Sequence, residues 1–163
     1  MAVDMFINMG PNIKGETQDD AQKAKNDIDV LAWSWGMSQS GSGHAGGGGG
    51  AGKVNVQDLS FTKYVDSSSP AIQVHCMLGK HIPKCVILVR KAGGTQQKYL
   101  EITMEQVLVT SVSTGGSGGE DRLTENVSLN FSKVAFEYFA QGADGTTKSA
   151  GAAKYDIAAN KQL

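Results

Sequence analysis

The chain has 163 residues, with 15 basic and 16 acidic side chains and a formal charge of -1. That length suits one domain burying about two thirds of its unfolded surface, and the near-cancelling charge excludes the strong basic field that draws in nucleic acid. No apolar run reaches the ~18 residues of a membrane helix, and two cysteines, Cys76 and Cys85, exclude a disulfide framework.

Met5 to Ile7 reads as a short first strand, and the polar residues 10–26 read as a loop. Residues 27–39 read as a strand. Its odd positions carry Trp33 and Trp35 and its even positions carry Ala32, Ser34 and Gly36, so alternation puts the tryptophans on one face and the small residues on the other. Residues 41–52 form a glycine-dominated loop, a length that packed domains rarely keep without a use. The chain returns as a strand over 54–64, with a bulge expected near Asp58 where the apolar parity shifts.

The spacing predicts a helix over 70–78. Ser69 is its expected N-cap, Pro70 suits the first turn, Gly79 ends it, and Ala71, Val74 and Leu78 form the expected buried stripe. Strands follow at 85–90, 98–104, 107–113, 123–131 and 134–139, with a second glycine loop at 115–119. The tail is polar and small over 142–151, and a last strand is expected at 153–159. Many short strands beside one helix predict a mainly β barrel or sandwich.

Three motifs imitate chemistry. Gly41 to Gly46 matches the dinucleotide fingerprint, but a strand rather than a helix follows, so no helix N-terminus meets a pyrophosphate. Gly115 to Gly119 matches the hydrolase elbow, yet His44, His75 and His81 all precede Ser117 and a strand follows it. His75, Cys76, His81 and Cys85 crowd within eleven residues. However, His75 and Cys76 are neighbours on a helix and point ~100° apart, so no zinc site is assigned. No catalytic residue, metal or cofactor is expected, and the chain reads as a protein other than an enzyme. Glu120, Asp121 and Arg122 form a charge cluster beside the second glycine loop, a solvated turn on the plain reading and a contact with a neighbouring subunit on the functional one. The opening residues lack the basic start and long apolar core of a secretory leader, so the chain is expected in the cytoplasm or leaving it by a route that accepts folded protein.

Several long runs carry a resemblance. Asp29 to Gly41 (DVLAWSWGMSQSG), Gly46 to Tyr64 (GGGGGAGKVNVQDLSFTKY), Gly79-Lys80-His81, Ser113 to Phe131 (STGGSGGEDRLTENVSLNF) and the opening MAVDMFI resemble the Hcp (haemolysin-coregulated protein) family of bacterial type VI secretion. The likeness covers most of residues 1 to about 140 and is weaker near Pro11 and from Gln141 onward.

The resemblance implies one domain over residues 1–163, a compact two-sheet β-barrel with a flanking helix that assembles into a six-membered ring. It implies rings stacked into the inner tube of a contractile injection machine, capped by a VgrG spike and enclosed by sheath proteins. The tube is expelled, so the chain is expected to be cytoplasmic before firing and extracellular after it. Small effectors are held in the lumen, and no membrane insertion is implied. On that reading Ala32, Ser34 and Gly36 line the lumen and bind effectors. Gly46, Gly47, Gly48, Gly49, Gly50 and Val54 form a ring-stacking loop, and Glu120, Asp121 and Arg122 lie at the contact between subunits. A monomeric β-sandwich binding module and a phage-like tail-tube protein are the rival readings.

Overall fold

The computed structural model describes residues 2–41, 43, 52–93 and 95–163. Along the chain, β1 (Val3–Asn8), β2 (Ile28–Asp29), β3 (Ala32–Ser34), β4 (Met37–Ser38), β5 (Asn55–Val56) and β6 (Leu59–Tyr64) precede α1 (Ser69–Leu78). After it come β7 (Ile82–Lys91), β8 (Lys98–Gly115), β9 (Thr124–Asn130), β10 (Lys133–Gln141), β11 (Thr147–Asp156) and β12 (Lys161–Gln162).

The strands make two faces joined by β8. Its first half pairs with β7 and β10 in the row β12-β11-β10-β8-β7-β1-β2, and its second half pairs with β9 in the row β8-β9-β6-β3. The corner falls at Gln106, whose φ of 53° lies in the left-handed region. Ser132 holds it there by donating to the Gln106 side-chain oxygen at 3.1 Å. At the opposite corner the ladder does not close into a barrel, contrary to the expectation from sequence. The chain crosses between faces through Val30 and Leu31, whose N–H groups donate to Met5 O and Thr62 O respectively. Two amides diverging onto two sheets leave β2 and β3 too short for a continuous ladder. The predicted strand over 27–39 is accordingly three short pieces.

The core lies between the faces. Ile7, Ile87, Ile102 and Met104 from one sheet meet Leu59, Phe61, Val127 and Leu129 from the other, all buried. Ile72 enters from α1. The predicted helical stripe is therefore wrong: Ile72 and His75 are buried, whereas Val74 and Leu78 are exposed. His75 tolerates burial because its Nδ1 lies 2.8 Å from the Ala71 carbonyl of the same helix. The N-cap is Ser68 rather than Ser69, and it makes no side-chain cap bond. Ser69 points its hydroxyl inward instead, onto Glu125 at 2.6 Å. Gly79 does end the helix, with φ 62°.

Two further corrections concern the second half of the chain. Residues 98–115 are one strand rather than two, because the bend at Gln106 redirects the strand without interrupting it. The tail expected to be polar loop with a strand at 153–159 holds the ten-residue β11, paired with β10 through a bulge between Tyr138 and Phe139.

The loop between β1 and β2 folds back on itself. Asn8 donates to the buried Asp27 carboxylate at 2.7 Å. Burial holds that carboxyl above the ordinary range, and the Asn8 amide pulls in the opposite direction. A carboxyl whose folded pKa is raised contributes stability that is complete below its unfolded pKa and disappears as pH rises through the folded value. Wild type should therefore lose stability relative to Asp27→Asn as the pH climbs from about 3.9. Urea melts of both proteins at pH 3.5 and pH 6 check this, and a pH-independent difference between them would count against it.

Candidate functional site

The outer face of β3-β6-β9-β8 carries the most distinctive chemistry in the molecule. Register places Ser34 beside Ser60, Ser60 beside Ser128 and Ser128 beside Ser111. The next row is Ala32, Thr62, Asn126 and Ser113. Alternation explains both rows, since the intervening Trp33, Phe61, Val127 and Val112 turn inward onto the core. The outer side chains tie the strands together: Ser60 and Ser128 hydroxyls lie 3.0 Å apart, and Thr62 donates to Asn126 Oδ1 at 2.6 Å.

These two rows contain no ionisable side chain. Charges stand only at the margins. At one end Asp58 accepts from Thr110 at 2.7 Å and from Asn130 at 2.9 Å. At the other, the Arg122 guanidinium lies over the Tyr64 ring, 3.8 Å from its centroid. A wall with this pattern offers hydroxyl and amide hydrogen bonds in both directions, with short side chains and no charge of its own.

Ala32 and Ser34 sit on this face and are exposed. Gly36 does not extend the row. It lies past β3 at the root of an arm, where its carbonyl accepts from Gln57 N–H at 2.9 Å and an added Cβ would stand 3.2 Å from the Gln57 side chain. The arm is the two-residue ladder of β4 and β5, pairing Met37 with Val56 and Ser38 with Asn55. Val54 is half-buried there, in a groove shared with Trp35, Met37 and Tyr155. Gly46, Gly47, Gly48, Gly49 and Gly50 lie outside the described residues. Glu120, Asp121 and Arg122 are exposed on the turn before β9, beside Leu31.

Sequence reasoning named one strand of the wall and missed the other three. The signal was present, because Thr124, Asn126, Ser128 and Asn130 alternate with Glu125, Val127 and Leu129. Only cross-strand register shows that they extend the row begun by Ser34.

The motifs that imitate catalysis resolve differently. Gly115 to Gly119 connects strand to strand, with Glu120 N–H donating to Ser117 O, so no helix follows the serine. Cys85 faces the core of β7, where burial pushes its thiol up to about 12 and keeps it protonated at neutral pH. Among the described residues no three His, Cys, Asp or Glu side chains come together as a metal-holding group, and no helix is long and apolar enough to cross a membrane.

Comparison with known proteins agrees across the whole length. The chain is 64% identical over 156 residues to Protein hcp1 of Pseudomonas aeruginosa, covering 95% of this chain and 94% of that protein. The crystal structure of Hcp1 from Salmonella typhimurium matches with a TM-score of 0.79 at 39% identity, covering all of both chains. The solved structure of a type six secretion system protein matches with a TM-score of 0.91 at 25% identity, over 99% of this chain and 100% of that one. The family described as type VI secretion system effector, Hcp, matches residues 6–138, and with the 64% identity over 156 residues this fixes the assignment: the chain belongs to the Hcp family of type VI secretion tube and effector proteins.

Proposed function

We propose that six copies of this chain close into a ring, that rings stack into the type VI tube, and that Ala32 and Ser34 with the neutral rows beside them face the lumen and receive effectors. The observation that carries this reading is the outer face of β3-β6-β9-β8. In a free sandwich such a face meets bulk water and commonly bears long charged side chains, whereas here two full rows are short and uncharged. Among the described residues β3 pairs with β6 alone and the second half of β8 pairs with β9, so these two strands are the ends of that wall, and strand edges are closed, covered or paired with another chain. Heterologous contacts between unlike edges close into rings when the rotation permits.

In this reading the protein does no chemistry. It is a structural subunit that is exported with its cargo, meeting a VgrG spike at the tube's end and sheath proteins around it. The arm and the residues between β4 and β5 contact the next ring, and Glu120, Asp121 and Arg122 lie at the contact between neighbouring subunits.

Native mass spectrometry at micromolar concentration should show a hexamer, and a monomer under all salt conditions would remove the proposal. Ser34→Gln should leave the hexamer intact, within ~0.5 kcal/mol of parent stability, because Trp33 and the core are untouched. Each subunit would then project a longer group from the wall, and co-purified effector should fall several-fold. Unchanged retention would remove Ser34 from the lumen.

A further inference from the structure

Among the described residues, one side of β11 lacks a strand partner over most of its length. Residues 148–154 are exposed throughout, and β12 pairs only with Tyr155 and Asp156 at its far end. Leu163 N–H takes the Lys154 carbonyl. From Thr147 to Ala153, then, hydrogen bonds run to β10 alone. The run is Thr-Lys-Ser-Ala-Gly-Ala-Ala, short in side chain and carrying one charge. A long, flat edge of that kind invites a second chain.

Its charge names the surface that fits. Over residues 147–162 there are three lysines, Lys148, Lys154 and Lys161, against one acid, Asp156, whose Oδ1 is occupied by the Ala159 N–H at 2.9 Å. The opposite side of the same sheet, β1 and β2 with the loop between them, presents an open groove lined by Asp4, Glu16, Asp19 and Asp29, with Asp20 exposed nearby. The cations lining the groove, Lys23 and Arg122, and the Arg90 beneath it are committed. Arg90, about 95% buried, donates to Asp19 at 2.6 Å and lies 3.8 Å from Asp4. Lys23 pairs with Asp20 at 2.8 Å, and Arg122 covers Tyr64. Among the described residues neither Glu16 nor Asp29 has a cation within 4 Å. One sheet thus ends in a basic edge on one side and an acidic groove on the other.

We infer that the β11 edge of one copy docks against the acidic groove between β1 and β2 of the next copy in the ring, so that lateral closure is charge-matched. This rests on the ring proposed above and specifies which surfaces meet. Opposite charge on the two sides of one subunit favours head-to-tail pairing and disfavours like-to-like pairing of either side with itself. Because the charges are exposed, the contact should be sensitive to salt.

The test uses full-length protein and two variants. Lys148→Glu/Lys154→Glu/Lys161→Glu makes both sides acidic, and Glu16→Lys/Asp20→Lys makes the second side basic like the first. Both sets are surface changes that spare the Arg90–Asp19 pair, and circular dichroism melts verify that each variant is folded. Each alone should assemble at least tenfold more weakly than wild type at low salt. Mixed in equal amounts, they should form rings of alternating subunits, three of each, resolved by native mass. Rings formed by either variant alone at the parental concentration would overturn the inference and leave the ring itself standing. Two folded variants that stay monomeric when mixed would overturn it equally. A wild type that forms no ring removes the proposed function, and this inference with it.

Discussion

Lys63→Met should cost about 3–5 kcal/mol. Lys63 is fully buried on β6, directly opposite the fully buried Glu125 on β9. Its ammonium donates to Glu125 Oε1, to the Tyr64 carbonyl at 2.8 Å and to Ser69 Oγ at 3.1 Å, and lies 3.0 Å from Asp66 Oδ1. Ser69 donates onward to Glu125 at 2.6 Å and accepts from the Asp66 N–H at 3.0 Å. The network pins the 65–69 turn and the start of α1 to the inner side of the wall.

Removing the ammonium leaves the buried Glu125 carboxyl without its cation and with Ser69 as a remaining donor, its Oε2 already lacking a partner among the described residues. That stranded polar group, more than the lost contact, sets the size of the effect. For a chain of this size the loss corresponds to a melting point lower by about 10 °C. The double variant Lys63→Met/Glu125→Leu should recover most of it, since apolar replacement of a whole buried pair is commonly neutral or better. Thermal melts of the three proteins decide the matter. A single-variant loss below about 1 kcal/mol would mean that water reaches the site.

Trp35→Ala should release the arm and leave the sheets standing. Trp35 stacks on Phe136 with centroids 6.3 Å apart and tilts against Phe131 at 6.2 Å, while its Nε1 donates to Gln57 O at 3.1 Å. The arm beyond it is held by a two-residue ladder, far below what stands alone in water. Truncating the indole should cost about 3 kcal/mol, the lower end for tryptophan because this one is only half-buried. Amide exchange should locate the damage: residues 36–39 and 54–57 lose protection while β6 and β9 keep theirs. In the assembled state, rings should persist and stacks should fail. Retained protection in the arm would show that something other than Trp35 anchors it.

The legibility of the fold follows how much of each strand touches the core. β9 was readable in both faces because Val127 and Leu129 alternate with Asn126 and Ser128. The same parity placed Glu125 inward, and Lys63 shares the parity of Leu59 and Phe61. The buried pair was therefore written in the sequence but hidden by the habit of sending charges to solvent. α1 misled for the complementary reason, since the stripe of Ala71, Val74 and Leu78 leaves out both Ile72, which enters the core, and His75, which satisfies itself on Ala71. Only the end of β11 gave a signal, because Tyr155 alone of its residues packs on the core and Lys148 to Lys154 are exposed. Its strand is specified by the partner β10 and its bulge, which no local pattern records. The wall was legible one strand at a time, and the ladder order that assembles it is a long-range property.

The continuity of β8 has a mechanical consequence. One uninterrupted backbone of eighteen residues runs from the first sheet through the bend at Gln106 into the second. Tension applied along it loads the hydrogen bonds to β7, β10 and β9 together, in shear, so they cannot be peeled one after another. Pulling a single molecule by linkages placed near Lys98 and Gly115 should therefore require a higher rupture force than pulling across the β10–β11 ribbon, which can unzip from its free end. The strand that both layers share is thus the one through which an applied load spreads to both sheets.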